Sequence, residues 1–221
     1  MTEKTALVLG ATGLVGSALL DQLNTDPRYA KIKVLVRRAI TNVDQYPKLE
    51  AIELADFQQM QSIADKLQAD DVFCTLGTTM KKAGSKAAFY SVDFTYPFAL
   101  AQIALQQGAQ HFNIVTANGA NPESKIFYNR VKGEIEQALQ GLGYQRLTIL
   151  RPSLLLGERQ EFRLGESVAQ AFSGFLALIL PARLKPIHAT TVAKAMVNLA
   201  FRDDTGVKVI ESEIIRQIAE Q

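Results

Sequence analysis

The sequence predicts a doubly wound α/β protein, a parallel sheet with helices on both faces and a small C-terminal helical extension. Three observations carry that expectation. Strand and helix signals alternate almost to the end of the chain, the first strand runs directly into glycines at spacing three (Gly10, Gly13, Gly16), and no repeat, low-complexity tract or linker interrupts the 221 residues.

The elements follow in order. Apolar runs predict strands near 5–9, 32–37, 50–54, 71–76, 112–117 and 146–151, with a short strand near 207–210. Helical spacing predicts helices near 14–25, 57–68, 86–107, 125–140, 165–179 and 189–201, and a closing helix. Asp56 and Ser85 stand where N-caps belong, Gly108 ends the long helix, and Gly141 and Gly143 close the next. His111 is expected to initiate a strand.

The first turn, Gly10-Ala11-Thr12-Gly13-Leu14-Val15-Gly16, has the chemistry of a dinucleotide pyrophosphate site. Gly10 serves a tight strand-to-helix turn, Gly13 lets backbone approach phosphate without a Cβ, and Gly16 lets helix pack closely on strand. The phosphates then meet unpaired N–H groups at the positive end of a helix dipole. Such folds place an acidic residue about twenty positions on for a ribose 2′-hydroxyl, or an arginine for a 2′-phosphate. Here the second strand ends in Arg37-Arg38 with no Asp or Glu, which favours NADP(H) over NAD(H); a solvated strand end is the plain alternative. Asp56, after the third strand, could accept from the adenine amino group, with helix capping a competing but compatible role, and Phe57 beside it is expected to contact the cofactor.

Bulk composition excludes several classes. The chain carries 24 basic and 22 acidic residues, a net charge of +2, so no nucleic-acid footprint is expected. Cys74, the only cysteine, closes an apolar run and is expected in the core; with no signal peptide evident, a reducing, cytoplasmic setting is expected. The longest apolar stretch, 168–182, is broken by Gln170, Ser173, Gly174 and Pro181, short of the roughly 18 residues that span a bilayer. It reads as a packed helix or dimer face, with an interfacial membrane contact as the weaker alternative. His111 and His188 lack companions at metal-ligand spacing, and no metal site is expected.

Tyr128 and Lys132 are four apart, which puts both on one face of a helix. A lysine cation near a phenol favours the phenolate, so the pair suits general acid or base work. Tyr29 and Lys33 share the spacing but straddle a loop into the second strand, and are set aside. Tyr128 is preferred because it follows a strand ending in Thr116-Ala117-Asn118, and ligands of parallel sheets bind beyond the carboxyl ends of strands.

Together the glycine turn, Leu76-Gly77-Thr78-Thr79, Lys82-Ala83-Gly84, His111-Phe112-Asn113, Gly119-Ala120, Tyr128, Val131-Lys132-Gly133-Glu134, Leu150-Arg151-Pro152 and Arg159-Gln160-Glu161 resemble an atypical short-chain dehydrogenase/reductase, in particular the Tat-interacting oxidoreductase-like proteins. The resemblance implies one NAD(P)-binding Rossmann domain over residues 1–221, in which 152–221 completes the core and forms the substrate-side extension. It implies that Tyr128 and Lys132 occupy the catalytic positions, and that Thr75, Leu76, Gly77 and Thr78 line the cofactor ribose, with Arg151 and Pro152 at the cofactor. The family has serine, often a pair, about twelve residues before the tyrosine; here Thr116 and Ala117 stand there, so Thr116 takes the role of the catalytic hydroxyl.

The expected function is hydride transfer between nicotinamide and a small carbonyl or alcohol substrate. The alternative is a catalytically weak NADPH-binding regulator or scaffold with a protein partner; a sugar-nucleotide epimerase or dehydratase is disfavoured by the short segment after Arg151. A homodimer through the apolar 168–180 or 86–107 faces is also expected. Lys81, Lys82 and Lys86, and Arg159, Gln160, Glu161 and Arg163, are read as solvated charge or substrate-side contacts.

Overall fold

The computed structural model describes residues 3–40, 43–157 and 181–221. Seven parallel strands form the main sheet: β1 (Lys4–Leu9), β2 (Tyr29–Val36), β3 (Leu49–Glu53), β4 (Asp71–Cys74), β5 (His111–Val115), β6 (Arg146–Arg151) and, after a two-stranded pair β7 (Leu155–Leu156) and β8 (Ile187–His188), β9 (Gly206–Glu211). Their order is β3-β2-β1-β4-β5-β6-β9. The chain steps outward from β1 to β3 and returns to β4 on the other side of β1. That reversal opens a crevice at the carboxyl ends of β1 and β4.

Both faces of the sheet are covered, as the continuous apolar strands require. On β1, Ala6 and Val8 face one core with Leu19 and Leu23 of α1 (Leu14–Thr25). The same core takes Val192 and Met196 of a helix at Ala189–Ala200, and Ile215 and Ile218 of the closing helix at Ser212–Ala219. Leu7 and Leu9 face the other core with Cys74, Met60, Leu100 and Ile135. Cys74 is wholly buried, as expected, and burial pushes its thiol up to about 12.

Two predicted helices take different forms. Residues Phe57–Leu67 form a 3-10 helix, interrupted at Ile63, rather than an α-helix. Its core-facing Phe57 and Met60 are three apart, and three residues per turn keep such positions on one side. The Asp56 carboxylate accepts from Gln58 N at 2.9 Å, the expected cap.

The stretch expected as one helix over 86–107 is divided, and is preceded by a short helix α2 (Met80–Ala83). It comprises α3 (Lys86–Tyr90), a π-helical turn at Ser91–Thr95, and α4 (Tyr96–Gln106). Pro97 explains the widened turn, because it has no N–H to give the carbonyl of residue 93. The turn carries Asp93 inward, to 1% exposure. Ser85 caps α3 by accepting from Ala88 N.

α4 buries Leu100, Ala101, Ile103 and Ala104 in its own core, so the apolar face offered for dimerisation is largely covered by the sheet. The helix expected at 165–179, the dimer face at 168–180, and Arg159, Gln160, Glu161 and Arg163 lie outside the described residues. No described helix is long and apolar enough to cross a membrane.

Candidate cofactor and catalytic site

The β1–α1 turn has the close packing for which its glycines were singled out. Gly10 adopts φ +91°, and a Cβ there would lie 2.5 Å from Leu76 N. At Gly16 a Cβ would lie 2.2 Å from the Gly10 carbonyl oxygen, so helix and strand meet at a distance only glycine permits. Gly13 is the N-cap of α1, and no side chain caps the helix there. Thr75 fastens the turn from β4: its amide donates to Leu9 O at 2.8 Å and its hydroxyl to Gly10 O at 3.1 Å. The result is a backbone turn packed too closely for a Cβ at Gly10 or Gly16, leading into a helix N-terminus with no side-chain cap, which fits a pyrophosphate there.

Beside this turn lies a cavity lined by Leu14, Val15, Thr75, Leu76, Gly77 and Thr78 from one side, and by Asp93, Val115, Thr116, Tyr128, Lys132 and Leu155 from the other. Nine residues named from sequence therefore meet here: Leu14, Val15, Thr75, Leu76, Gly77, Thr78, Thr116, Tyr128 and Lys132. Tyr128 and Lys132 share α5 (Phe127–Gln140), with the Tyr128 ring tilted against Phe89 at 5.7 Å. Gly133 lets α5 press onto the preceding loop, since a Cβ there would lie 2.1 Å from Pro122 N.

Lys132 is buried and its Nζ lies 2.7 Å from Asp93 Oδ1. Burial is the largest single influence and opposes the ammonium, but the Asp93 charge, the hydrogen bond to Asp93 and the neighbouring Tyr128 and Cys74 together hold the lysine above its ordinary pKa. The other Asp93 oxygen accepts from Thr78 N at 2.9 Å, so one carboxylate ties α5 to the exit of β4. Sequence analysis missed Asp93. Its signals were a charged residue within an apolar helical run and a proline four positions later.

Thr116 and Arg151 have partners that the sequence did not indicate. The Thr116 hydroxyl lies 2.5 Å from Glu136 Oε1, and Glu136 is buried on the same stripe of α5, four residues beyond Lys132. Arg151 was expected at the cofactor. It instead grips Glu136 through Nε, 3.1 Å from Oε1, and Nη2, 2.5 Å from Oε2, and its Nη1 reaches Glu211 at 3.2 Å. A fork-shaped guanidinium takes a carboxylate bidentately, and this one is thereby committed away from the cavity. The hydrogen bond that Arg151 donates to Glu136 is the leading cause holding its pKa above the ordinary value.

The remaining assignments are distributed around this centre. Pro152 is buried and its carbonyl accepts from Asn118 N at 3.0 Å; it does not line the cavity. Phe57, expected to contact the cofactor, packs its ring edge-on against Tyr96 in the core and does not line the cavity. Arg37 and Arg38 are exposed just past β2, and neither forms an ion pair among the described residues. Leu9 pairs with Leu35, so these arginines leave the sheet close to the level of the glycine turn. Ala11 is buried and Thr12 exposed within that turn.

Tyr29 and Lys33, set aside as a loop pair, both lie on β2. Tyr29 is buried and donates to Asp71, far from the cavity. His111 begins β5 as expected.

Comparison with known proteins gives this geometry a relation. A family model described as the NAD dependent epimerase/dehydratase family matches residues 6–187. Protein HTATIP2 of Rattus norvegicus is 34% identical over 217 residues, covering 97% of this chain and 89% of that protein. Protein FMP52, mitochondrial, of Eremothecium gossypii is 35% identical over 226 residues, covering 98% and 97%. Its name includes a mitochondrial location, which the expectation of a cytoplasmic protein did not anticipate. Among solved structures, MoeE5 in complex with UDP-glucuronic acid and NAD superposes with a TM-score of 0.74 at 17% identity, covering 98% of this chain and 81% of that one, a likeness of fold. With a match running from β1 to β8, and relatives similar over nearly their whole lengths, the chain belongs to the NAD dependent epimerase/dehydratase family, short-chain dehydrogenase-like proteins with an NAD(P)-binding Rossmann fold.

Proposed function

We propose that this protein is an NADP(H)-dependent oxidoreductase acting on a small carbonyl or alcohol, with Tyr128 as the proton-transferring group. The observation that carries the proposal is the convergence of Tyr128, Lys132 and Thr116 with the β4 exit loop in one cavity beside the glycine turn. When bound there, the nicotinamide supplies or accepts the hydride. In the reducing direction the Tyr128 Oη gives its proton to the carbonyl oxygen, and in the oxidising direction it takes the proton of the hydroxyl. Lys132, held by Asp93, offers its remaining N–H donors to a ribose hydroxyl. Arg37 and Arg38 hold the 2′-phosphate and set the preference for NADP(H).

Calorimetric titration with NADPH and NADH in parallel tests the cofactor assignment, and turnover of Tyr128→Phe tests the chemistry. The expected results are tighter binding of NADPH and a Tyr128→Phe protein that binds it but does not turn over. Equal affinities would remove the 2′-phosphate assignment, and unchanged turnover would remove Tyr128 from the mechanism.

One observation favours a second role, as an NADPH-binding regulator of a protein partner. The Thr116 hydroxyl, in the place of the family's serine, is already bonded to Glu136. Pull-downs with and without NADPH separate the two roles, because a regulator's partners change with the cofactor and an enzyme's need not.

A further inference from the structure

We infer that Asp93 is a ligand-binding residue as well as the counter-ion of Lys132: Asp93 Oδ1 and Lys132 Nζ together clamp one hydroxyl of the nicotinamide ribose, which donates to the carboxylate and accepts from the ammonium, in room that Gly77 keeps open. The ribose as occupant rests on the cofactor part of the proposed function.

Asp93, Lys132 and Gly77 all line the cavity beside the glycine turn. Of the two carboxylate oxygens, Oδ2 accepts from Thr78 N at 2.9 Å and Oδ1 lies 2.7 Å from Lys132 Nζ. A carboxylate oxygen has two lone pairs and an ammonium three N–H groups, so their mutual contact leaves an acceptor site on Oδ1 and donors on Nζ. Asp93 is 1% and Lys132 5% exposed, and buried polar groups need partners. A hydroxyl completes both at once, because it donates and accepts. An ether or carbonyl oxygen only accepts, and would set its lone pairs against the carboxylate.

Gly77 shows where such a group approaches. A Cβ there would lie 3.3 Å from Asp93 Oδ1 and 3.6 Å from Lys132 Nζ, and, its chain neighbours aside, within 4 Å of no other heavy atom. Both polar atoms of the ion pair therefore border the space beside Gly77. Gly77 is not among the glycines of positive φ, so its backbone would admit other residues. What a side chain would take away is room at the flank of the ion pair.

Calorimetry of the full chain tests the clamp without any turnover, using NADP+ and analogues whose nicotinamide ribose lacks the 2′- or the 3′-hydroxyl or carries fluorine in its place. The wild type should bind one of the two deoxy analogues about tenfold or more weakly than NADP+, the loss expected for a hydrogen bond to a charged group. Fluorine accepts weakly and cannot donate, so the matching fluoro analogue should bind no better than the deoxy one. Full affinity for both deoxy analogues, or a fluoro analogue tighter than its deoxy counterpart, would overturn the role of Asp93; the latter is the result expected if Lys132 alone met the ribose and Asp93 only held the lysine.

Two variants sharpen the result. In Asp93→Asn the amide oxygen stays on Thr78 N, which can only donate, and the NH2 group replaces the acceptor; the difference between NADP+ and the deoxy analogue should shrink to about twofold or less. Gly77→Ala should weaken NADP+ by about tenfold. A difference that persists in Asp93→Asn, or unchanged affinity in Gly77→Ala, overturns the clamp, and the wild-type series decides the matter even where a variant folds poorly. Tight NADP+ binding with full affinity for both deoxy analogues would remove the clamp and leave the cofactor assignment standing, whereas a wild type that bound neither NADP+ nor NAD+ would remove both.

Discussion

The two ends of the sheet treat buried charge in opposite ways. At the amino end, the strands begin with Lys4, Tyr29, Asp71, His111 and Arg146, and these close on one another. Asp71, wholly buried, lies 3.0 Å from Lys4 Nζ, 3.3 Å from His111 Nδ1 and 3.2 Å from Arg146 Nη2, and accepts from the Tyr29 hydroxyl at 2.8 Å. Asp71, His111 and Arg146 stand in register on neighbouring strands, so their side chains share a face. Arg146 also donates to the carbonyls of Ala200 and Arg202, at the end of a helix.

At the carboxyl end the same strands run out into Gly10, Arg37, Thr75, Thr116 and Pro152. The carboxylates there, Asp93 in the cavity wall and Glu136 outside it, hold Lys132 and Thr116, which both line the cavity. Polar residues at the strand starts serve stability. Those at the strand ends are the ones we propose to meet a ligand, because the parallel sheet directs its open turns and helix N-termini that way.

The largest expected effect breaks the closed end. Asp71→Asn leaves Lys4 and Arg146 facing a neutral amide and should cost about 3 kcal/mol in urea unfolding, with NADPH affinity of the folded protein unchanged. A cost within measurement error would show that the amino end is no keystone. Gly16→Ala strikes the open end: its Cβ would meet backbone at 2.2 Å, so stability should fall by about 1–3 kcal/mol and NADPH binding should be lost with it. Retained binding in that variant would mean the turn can relax without losing its cradle.

Arg37→Ala should leave stability alone, weaken NADPH by about tenfold and leave NADH unaffected, as seen by calorimetry.

The smallest effect is on pH dependence, and it again concerns the closed end. Burial pushes His111 below its ordinary 6.5, against the pull of Asp71 and assisted by Arg146 and Lys4. The unfolded chain then binds the histidine proton first as pH falls, so stability should decline below about 6.5. Thermal melts between about pH 7 and pH 5 should show this decline in the wild type and less of it in His111→Gln. Identical pH profiles would place the titration elsewhere. Asp71, held below its ordinary value by His111 and Lys4 despite burial, contributes stability above 3.8 that is lost only at more acid pH, so the two effects separate.

Strands β1, β4, β5 and β6 were legible because a strand buried on both faces needs an apolar run, and α1 because its glycines and leucines agree on one geometry. Strands β7 and β8 were not, since two residues carry no period. The glycine turn was legible from spacing, and Tyr128 and Lys132 from spacing together with their place after a strand, since Tyr29 and Lys33 share the spacing without the place. Arg151 was placed at the cofactor from its position after a strand, and only the approach of Glu136 and Glu211 decided its partners. Asp93 was hidden by a helical pattern that does not reveal a widened turn.

By itself, the sequence determined what depends on neighbours along the chain: the alternation of strand and helix, the glycine cradle, and a tyrosine and a lysine on one helical face. Only the tertiary structure decided which charges meet. Asp71 with Lys4, His111 and Arg146, Asp93 with Lys132, and Glu136 with Thr116 and Arg151 join residues from different elements. A buried charge must find an opposite charge or a donor, and which one it finds depends on how strands and helices pack rather than on any local pattern.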